Sequence, residues 1–387
     1  MQFSLTEEQE ILRDTVRRIA RDKVAPRAAA IDADAVYPQD MFDLLRKNDL
    51  LALPLPTEYG GGGAGILSTV VAVEEMAKIC YNTAYLMVLT YNPFECIYHA
   101  GNDKQKKQYL APLAAGEFRA AFALSEPEAG SNAGALRTRA ERIPGGYKLT
   151  GQKSFITNST VADFFIVFAK TDPTKGNRGI TAFVVDRETP GLTVGRPEKK
   201  IGGRGLPSTQ LYFEDCVISE DSRLGEEGSG FTTAMTGLTR TRPTLAARAV
   251  GLAQGALDNA VAYSKERQQF GQPISHFQGV RFMIADMATQ TEAARLLVYR
   301  AAAMMDSGRT KEGSVAVEMA KYFSAEIAQQ VALKAAQLYG ANGCVADYPA
   351  ERYVRDSKLL TIAGGTSQIQ QVHISNAVIG DSPPTTR

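Results

Sequence analysis

The segment Asp356–Val372 of this 387-residue chain contains residue types that are suited to ligand binding through backbone and hydroxyl groups. The pair Gly364-Gly365 interrupts a helical pattern there, and each glycine costs about 1 kcal/mol relative to alanine inside a helix. A ligand that needs close backbone approach would compensate for this cost, whereas a simple break with a capped restart would need no ligand. The short polar groups that follow and could serve one ligand are Thr366, Ser367 and Gln368.

A second polar segment, Ser125–Ser131 (SEPEAGS), follows the first β-like run and is rich in small residues and hydroxyls. Such a loop can lie against a planar ligand, although an ordinary turn with local side-chain hydrogen bonds has the same composition. In a third segment, Arg267–Gly271 (RQQFG), a guanidinium stands at a predicted helix end, with the amide of Gln278 beyond it. A guanidinium can bind phosphate with two parallel hydrogen bonds, but a surface arginine beside a capping glycine is the equally simple alternative.

The charge balance and the use of cysteine and histidine exclude several function classes. The chain has 43 basic and 42 acidic residues, interspersed along its length, which argues against nucleic acid as a partner. The 4 cysteines show no CxxC spacing and the 3 histidines form no ligand pair, so we expect reduced thiols and no metal site. No signal pattern and no membrane-length apolar run is present, which predicts a cytoplasmic protein without a membrane span.

Hydrophobic periodicity predicts the element order α, β, α and therefore an α+β fold. We expect an N-terminal helical domain (1–120), a middle domain of antiparallel strands (121–229) and a C-terminal helical domain (230–387). Turn residues rather than helices separate the β-branched runs of the middle domain, which disfavours a parallel Rossmann-type sheet. One break in the C-terminal helical pattern is expected at Pro243.

Six segments, in this order and at these separations, resemble the acyl-CoA dehydrogenase family along almost the whole chain. The resemblance implies an N-terminal helical domain, a central β-sandwich-like domain and a C-terminal four-helix bundle, with one FAD per subunit in a homotetramer. The six segments are Ser125–Ser131, Lys153–Asn158, Thr241–Pro243, Arg267–Gly271, Gln337–Gly343 with Tyr348-Pro349 and Arg355-Asp356 after it, and Gly364–Gln370.

The resemblance also implies which residues bind the cofactor and the CoA thioester. Ser131 and Arg242 match positions that line the CoA channel. The flavin ring and its tail would contact Phe122, Leu124, Ser125, Phe155, Thr157, Thr366 and Gln368. The adenosine diphosphate half of an FAD seated mainly in a neighbouring subunit would contact Arg267, Phe270, Gln278, Gln337 and Ala341.

This chain departs from the family at the catalytic base. Family members place a glutamate immediately before the Gly-Thr pair, and that position is Gly364 here. A subset of the family places it before the arginine that corresponds to Arg242, and that position is Thr241. A positioned base typically contributes about 10²–10⁴-fold, so the proton acceptor must lie elsewhere or the reaction must differ.

Three function classes follow from the vacant base position. In the first, a dehydrogenase takes its base from the segment Tyr81–His99, where Tyr91 and Glu95 are the candidates; an i, i+4 pair of Glu95 with His99 on a solvated helix is the plainer interpretation. The second is a redox-neutral lyase similar to relatives that eliminate sulfite from a sulfinopropionyl thioester, and the third is a non-catalytic partner subunit. For a dehydrogenase we expect a CoA or carrier-protein thioester as substrate and an acceptor similar to electron-transfer flavoprotein.

The expected acyl tail is uncharged, and a cyclic or unsaturated chain is included in that expectation. The segment between Lys78 and Lys104 contains no lysine or arginine and is rich in apolar residues, which favours a hydrocarbon pocket. The same absence of a cation disfavours the lyase, which needs a basic group for its sulfinate.

Overall fold

The computed structural model describes residues 4–380, so the first three and last seven residues of the two outer predicted domains lie outside the described range. Within that range the order α, β, α is confirmed. The helices are α1 (Glu7–Ile19), α2 (Ala28–Asp34), α3 (Gln39–Lys47), α4 (Ile66–Ile79), α5 (Tyr81–Val88), α6 (Tyr91–Ala100), α7 (Asp103–Ala114), α8 (Gly230–Glu266), α9 (Gln278–Asp306), α10 (Thr310–Tyr339), α11 (Pro349–Leu360) and α12 (Ser367–Ile379). The strands are β1 (Ala120–Ala123), β2 (Arg139–Ile143), β3 (Gly146–Thr157), β4 (Phe164–Lys170), β5 (Ile180–Asp186), β6 (Leu192–Val194), β7 (Ser208–Ser219), β8 (Arg223–Leu224), β9 (Gln268–Gln269) and β10 (Gln272–Pro273).

The middle domain is one sheet with the strand order β6-β7-β3-β2-β4-β5-β8, and β1 pairs with β4. Its pairs are antiparallel as expected, except that β1 runs parallel to β4 and β2 meets β4 at one parallel pair. The parallel pairing arises because the β2–β3 hairpin separates β1 from β4 along the chain, so the two strands are joined by a crossover rather than a tight turn. Strands β4 and β5 are almost continuously apolar and buried, because this part of the sheet is covered on both faces.

The C-terminal helices pack around α10, which contacts α8, α9, α11 and α12. The expected break at Pro243 is wrong, since this residue lies inside α8, which is 37 residues long and continues on both sides of it. Proline removes one helical hydrogen bond, but α8 also packs on α4 and α6, and this tertiary burial outweighs the local cost of about 3 kcal/mol. No helix in the described part of the chain is long and apolar enough to cross a membrane.

Residues in the middle of α11 connect the three domains. The Asp356 carboxylate accepts a hydrogen bond from the backbone N–H of Gly203 at 2.7 Å. The neighbouring Arg355 guanidinium donates to Asp32 at 2.6 Å and to the Ile201 carbonyl at 3.1 Å. Complete burial raises the pKa of Asp356 to about 7. The contacts therefore join the N-terminal, middle and C-terminal domains at a carboxyl group that is protonated more readily than usual.

Candidate active site

The Gly364-Gly365 pair forms the left-handed link between α11 and α12, with φ of +68° and +98°. Both carbonyl oxygens are held by side chains. The Gly364 carbonyl accepts from Arg242 Nε at 3.2 Å and the Gly365 carbonyl from Lys321 Nζ at 2.5 Å, while Gln370 Nε2 lies 3.4 Å from each. The N–H groups of the two glycines have no acceptor among residues 4–380. The link therefore offers two free donors beside carbonyls that are fixed in place.

Thr366 caps α12, as the sequence predicts, and accepts a hydrogen bond from the N–H of Ile369 at 3.3 Å. Gln368 is exposed on the first turn of the same helix, and Ser367 is buried and donates to Glu326 at 2.5 Å. The predicted cofactor residues Thr366 and Gln368 thus directly follow the glycine link, while the Ser367 hydroxyl points into the interior of the domain.

Two charged residues on α10 support the link, and sequence reasoning missed both. Glu318 forms a buried ion pair with Arg242 at 2.5 Å and also contacts His373 at 3.3 Å. Burial, followed by the positive charge of Arg242, lowers the pKa of Lys321 to about 8. No local motif surrounds these residues, so their role becomes visible only when α10 packs against the link.

The two positions at which the family places its glutamate, Gly364 and Thr241, lie against helices α8 and α6. A Cβ atom on Gly364 would lie 2.9 Å from Cδ2 of Leu245 on α8. The Thr241 hydroxyl, at the second position, donates to Asn92 Oδ1 on α6 at 2.7 Å. The N-terminal end of α6 therefore reaches the second base position at Thr241.

The candidate bases Tyr91 and Glu95 differ in their surroundings. Tyr91 is buried, and burial raises the pKa of its hydroxyl well above the ordinary value, which opposes a role as a base. Glu95 Oε2 lies 2.6 Å from Arg240 Nε in an ion pair and 3.0 Å from His99 Nε2, while its Oε1 atom has no partner in residues 4–380. The i, i+4 contact with His99 is thus present, and both catalytic assignments stay predictions.

The Ser125–Ser131 loop is attached to the end of β3. The Ser125 carbonyl accepts from the N–H of Ser154 at 2.9 Å, and the buried Lys153 ammonium pairs with Glu126 at 2.7 Å. Phe155 has a φ of +57° and is 69% exposed, so its ring stands free beside this loop. Sequence reasoning missed the Lys153–Glu126 pair. The other residues predicted to contact the flavin here are Phe122 and Leu124 on and after β1 and Thr157 at the end of β3, while Ser131 is exposed on the loop.

A separate cavity of about 260 Å³ lies where α8 ends and α10 ends. Arg267, Gln337 and Ala341, three of the five predicted adenosine diphosphate contacts, line it together. Its wall includes Tyr263 and Tyr339, whose rings stack with centroids 4.0 Å apart. The two remaining predicted residues are exposed outside the lining and are Phe270, which is 93% exposed on the β9–β10 turn, and Gln278 at the start of α9.

Comparison with known proteins gives consistent matches over the whole described chain. Family models of the acyl-CoA dehydrogenase N-terminal, middle and C-terminal domains match residues 6–117, 121–216 and 228–379. A cyclohex-1-ene-1-carbonyl-CoA dehydrogenase of Syntrophus aciditrophicus is 43% identical over 95% of this chain and 89% of its own.

Two solved structures have the same fold with different acyl substrates in their names. The butyryl-CoA dehydrogenase of Megasphaera elsdenii is 38% identical, with a TM-score of 0.94 over 98% of this chain and 100% of its own. A glutaryl-coenzyme A dehydrogenase in complex with glutaryl-CoA is 34% identical, with a TM-score of 0.94 over 98% of this chain and 97% of its own. The shared fold therefore accommodates acyl tails of different chemistry.

Proposed function

The chain belongs to the acyl-CoA dehydrogenase family, and on this basis we propose that it desaturates a CoA thioester between the α and β carbons. The family consists of FAD-dependent flavoproteins that act on CH–CH donors, as the sequence predicts. In the proposed reaction the α-proton goes to a protein base and the β-hydride goes to the cofactor, so that one C=C bond forms.

The observation that carries the proposal is the pair of free N–H donors in the glycine link. A thioester oxygen gains negative charge as the α-proton leaves, and fixed backbone donors stabilise that charge. The contacts of Arg242 and Lys321 with the carbonyls of Gly364 and Gly365 prevent the link from turning these donors away. The carbonyl-polarising half of the usual site is therefore retained although the glutamate is absent.

The residues present fit FAD at two places. The exposed guanidinium of Arg267 beside the cavity matches a pyrophosphate contact, and the free Phe155 ring next to the Ser125 carbonyl matches a planar ligand surface. When bound, FAD accepts the hydride. The chain's own residues orient the thioester, exclude water and receive the proton.

We assign the proton to Glu95 rather than to Tyr91. One carboxylate oxygen of Glu95 has no partner within residues 4–380, and Glu95 lies one helical turn after Asn92, which contacts the second base position at Thr241. Burial disfavours ionisation of Tyr91, so this residue would need a positive neighbour to act as a base. A base at this wall suits a substrate whose proton faces away from Gly364.

A homotetramer is part of the proposal, because Arg267 and Gln278 match positions that reach a neighbour's cofactor. Large apolar side chains are exposed at the same end of α8 and on α12, and oligomerisation would cover them. They are Phe270, Val378 and Ile379. The cytoplasmic location and the electron-transfer flavoprotein-like acceptor stay predictions.

Anaerobic titration of the purified flavoprotein with a panel of acyl-CoA thioesters tests the proposal. A dehydrogenase bleaches the oxidised flavin absorbance and releases an enoyl thioester. Product formation without bleaching would replace the proposal by the lyase alternative. An unchanged flavin and an unchanged thioester across the panel, with a partner protein required for turnover, would replace it by the partner-subunit alternative.

A further inference from the structure

Arg248 on α8 is a buried cation that has no anionic partner in the described part of the chain. Its side chain is 1% exposed, and its Nε atom has no hydrogen-bond partner among residues 4–380. The guanidinium carbon lies 3.8 Å from the ring centroid of Tyr85 and 5.5 Å from that of Tyr81, and Nη1 lies 3.5 Å from the Tyr81 hydroxyl. Among the described residues no aspartate or glutamate lies within 4.0 Å of this guanidinium.

The two tyrosines do not compensate for burying this charge. A cation–π contact offsets only part of the cost of burying an unpaired ion, which stays large even after the surroundings relax. By contrast, the other buried arginine of this region, Arg242, is paired with Glu318. A structural role alone therefore leaves the Arg248 charge unbalanced, and a bound anion would balance it.

The position of Arg248 identifies where that anion would come from. Thr241, Leu245 and Arg248 recur at helical spacing on one face of α8, and Leu245 lies beside Gly364. The α5–α6 segment runs along this face in the direction opposite to α8, because Tyr85 contacts Arg248 and the later residue Asn92 contacts the earlier residue Thr241. Seven residues of α8 separate Thr241 from Arg248 and span about 10 Å, so the guanidinium lies on the α8 face that passes Gly364, opposite Tyr85 of α5.

We propose that Arg248 binds an anionic group, a carboxylate or a sulfinate, at the tail of the acyl chain. This inference rests on the proposed function, because it takes the α5–α6 and α8 walls to be the acyl pocket. It replaces the expectation of an uncharged tail. That expectation was based on the absence of cations between Lys78 and Lys104, whereas the cation comes from α8.

The test measures binding, which does not require turnover. The holoenzyme is titrated with matched pairs of CoA thioesters, and the shift in flavin absorbance gives each Kd. The pairs are succinyl and butyryl, glutaryl and pentanoyl, adipyl and hexanoyl, with 3-sulfinopropionyl as the sulfinate probe. At the length that reaches Arg248, we expect the anionic member to bind about 10- to 100-fold more tightly, as for a charge-assisted hydrogen bond.

Variants then assign the preference to this side chain. Arg248→Met keeps the volume and removes the charge, so it should abolish the preference for the anionic tail while changing the Kd of the methyl-terminated partner by less than about threefold. Arg248→Lys keeps the charge and should retain part of the preference. FAD content and melting temperature show whether each variant is folded; if the methionine variant is not, the native preference and its reduction in the lysine variant decide.

The possible results separate the two proposals. Equal or tighter binding of the methyl-terminated thioester by the native protein at every length overturns the role of Arg248, and so does an anionic preference that survives Arg248→Met. Preferential binding of glutaryl or sulfinopropionyl thioester without flavin bleaching supports Arg248 but contradicts the dehydrogenase proposal. The carboxylate and sulfinate probes show which of the two anions is preferred.

Discussion

Placing a glutamate at position 364 should create proton abstraction at the family's usual position. The φ of Gly364 is +68°, and a non-glycine residue in this region costs about 1–3 kcal/mol of folding stability. The new Cβ would lie 2.9 Å from Leu245 Cδ2, which is the end of a flexible side chain and can rotate away. A positioned base lowers the activation barrier by about 3–5 kcal/mol, corresponding to about 10²–10⁴-fold in rate. We therefore expect Gly364→Glu to be less stable but faster.

The assay follows flavin bleaching by butyryl-CoA in an anaerobic stopped-flow instrument, together with the melting temperature. Gly364→Gln is the matched control, because it has the same backbone strain and nearly the same shape without a base. The glutamine variant should lose stability to the same degree and gain no rate. Adding Leu245→Val to the glutamate variant should recover part of the stability by relieving the contact at Cβ.

Two results would refute this reasoning. If the native protein bleaches with butyryl-CoA as fast as Gly364→Glu, then the native protein has an efficient base and the premise fails. If the glutamate and glutamine variants gain rate equally, the effect comes from the altered backbone of the link.

Three further predictions test the base, the cofactor contact and the domain junction. Glu95→Gln should slow bleaching of the best native substrate about 10²–10⁴-fold and Tyr91→Phe should change it little, and equal native rates in both variants would exclude the base on α6. Arg267→Ala should lower FAD occupancy through loss of a contact of about 1.5–3 kcal/mol, whereas Ala at the exposed Arg300 should not, as measured by the absorbance ratio after purification. Because the pKa of Asp356 is raised from 3.8 to about 7 in the folded state, its contribution to stability is present below pH 4 and is lost as the pH rises through 7. Asp356→Asn should therefore make the fall of melting temperature between pH 4 and pH 7 smaller. An unchanged fall would assign that pH dependence to other groups.

Local chemistry explains which parts of the site could be predicted from the sequence. The glycine pair permits the left-handed backbone that the link adopts, and the Thr366 cap depends only on residues three positions away. Likewise Arg267 is the C-cap of α8, and its backbone N–H donates to the carbonyl of Tyr263 only four residues earlier. Such features involve short chain separations, so they are legible in a motif.

The supporting charges could not be predicted in this way. Glu318 and Lys321 act on the glycine link from α10, more than 40 residues earlier in the chain, and Arg248 meets Tyr85 across more than 160 residues. Neither contact leaves a local pattern, because its partners are brought together only by helix packing. The helix break predicted at Pro243 is absent for the same reason, since the packing of α8 overrides the local preference of proline.

Arg248 and the glycine link together could offset the absence of the glutamate by aligning the substrate. A thioester held at its oxygen by the N–H groups of Gly364 and Gly365, and at its tail by Arg248, is fixed at both ends of the acyl chain. Fixing both ends restricts rotation about the bonds between them, so the α-proton points to one wall of the pocket in the ground state. Alignment of this kind supplies several kcal/mol of the barrier in well-oriented reactions, comparable with the 3–5 kcal/mol of a positioned base. A two-point substrate can therefore react with a base on α6, whereas a chain with a free methyl end loses this alignment and should need the carboxylate that Gly364 lacks.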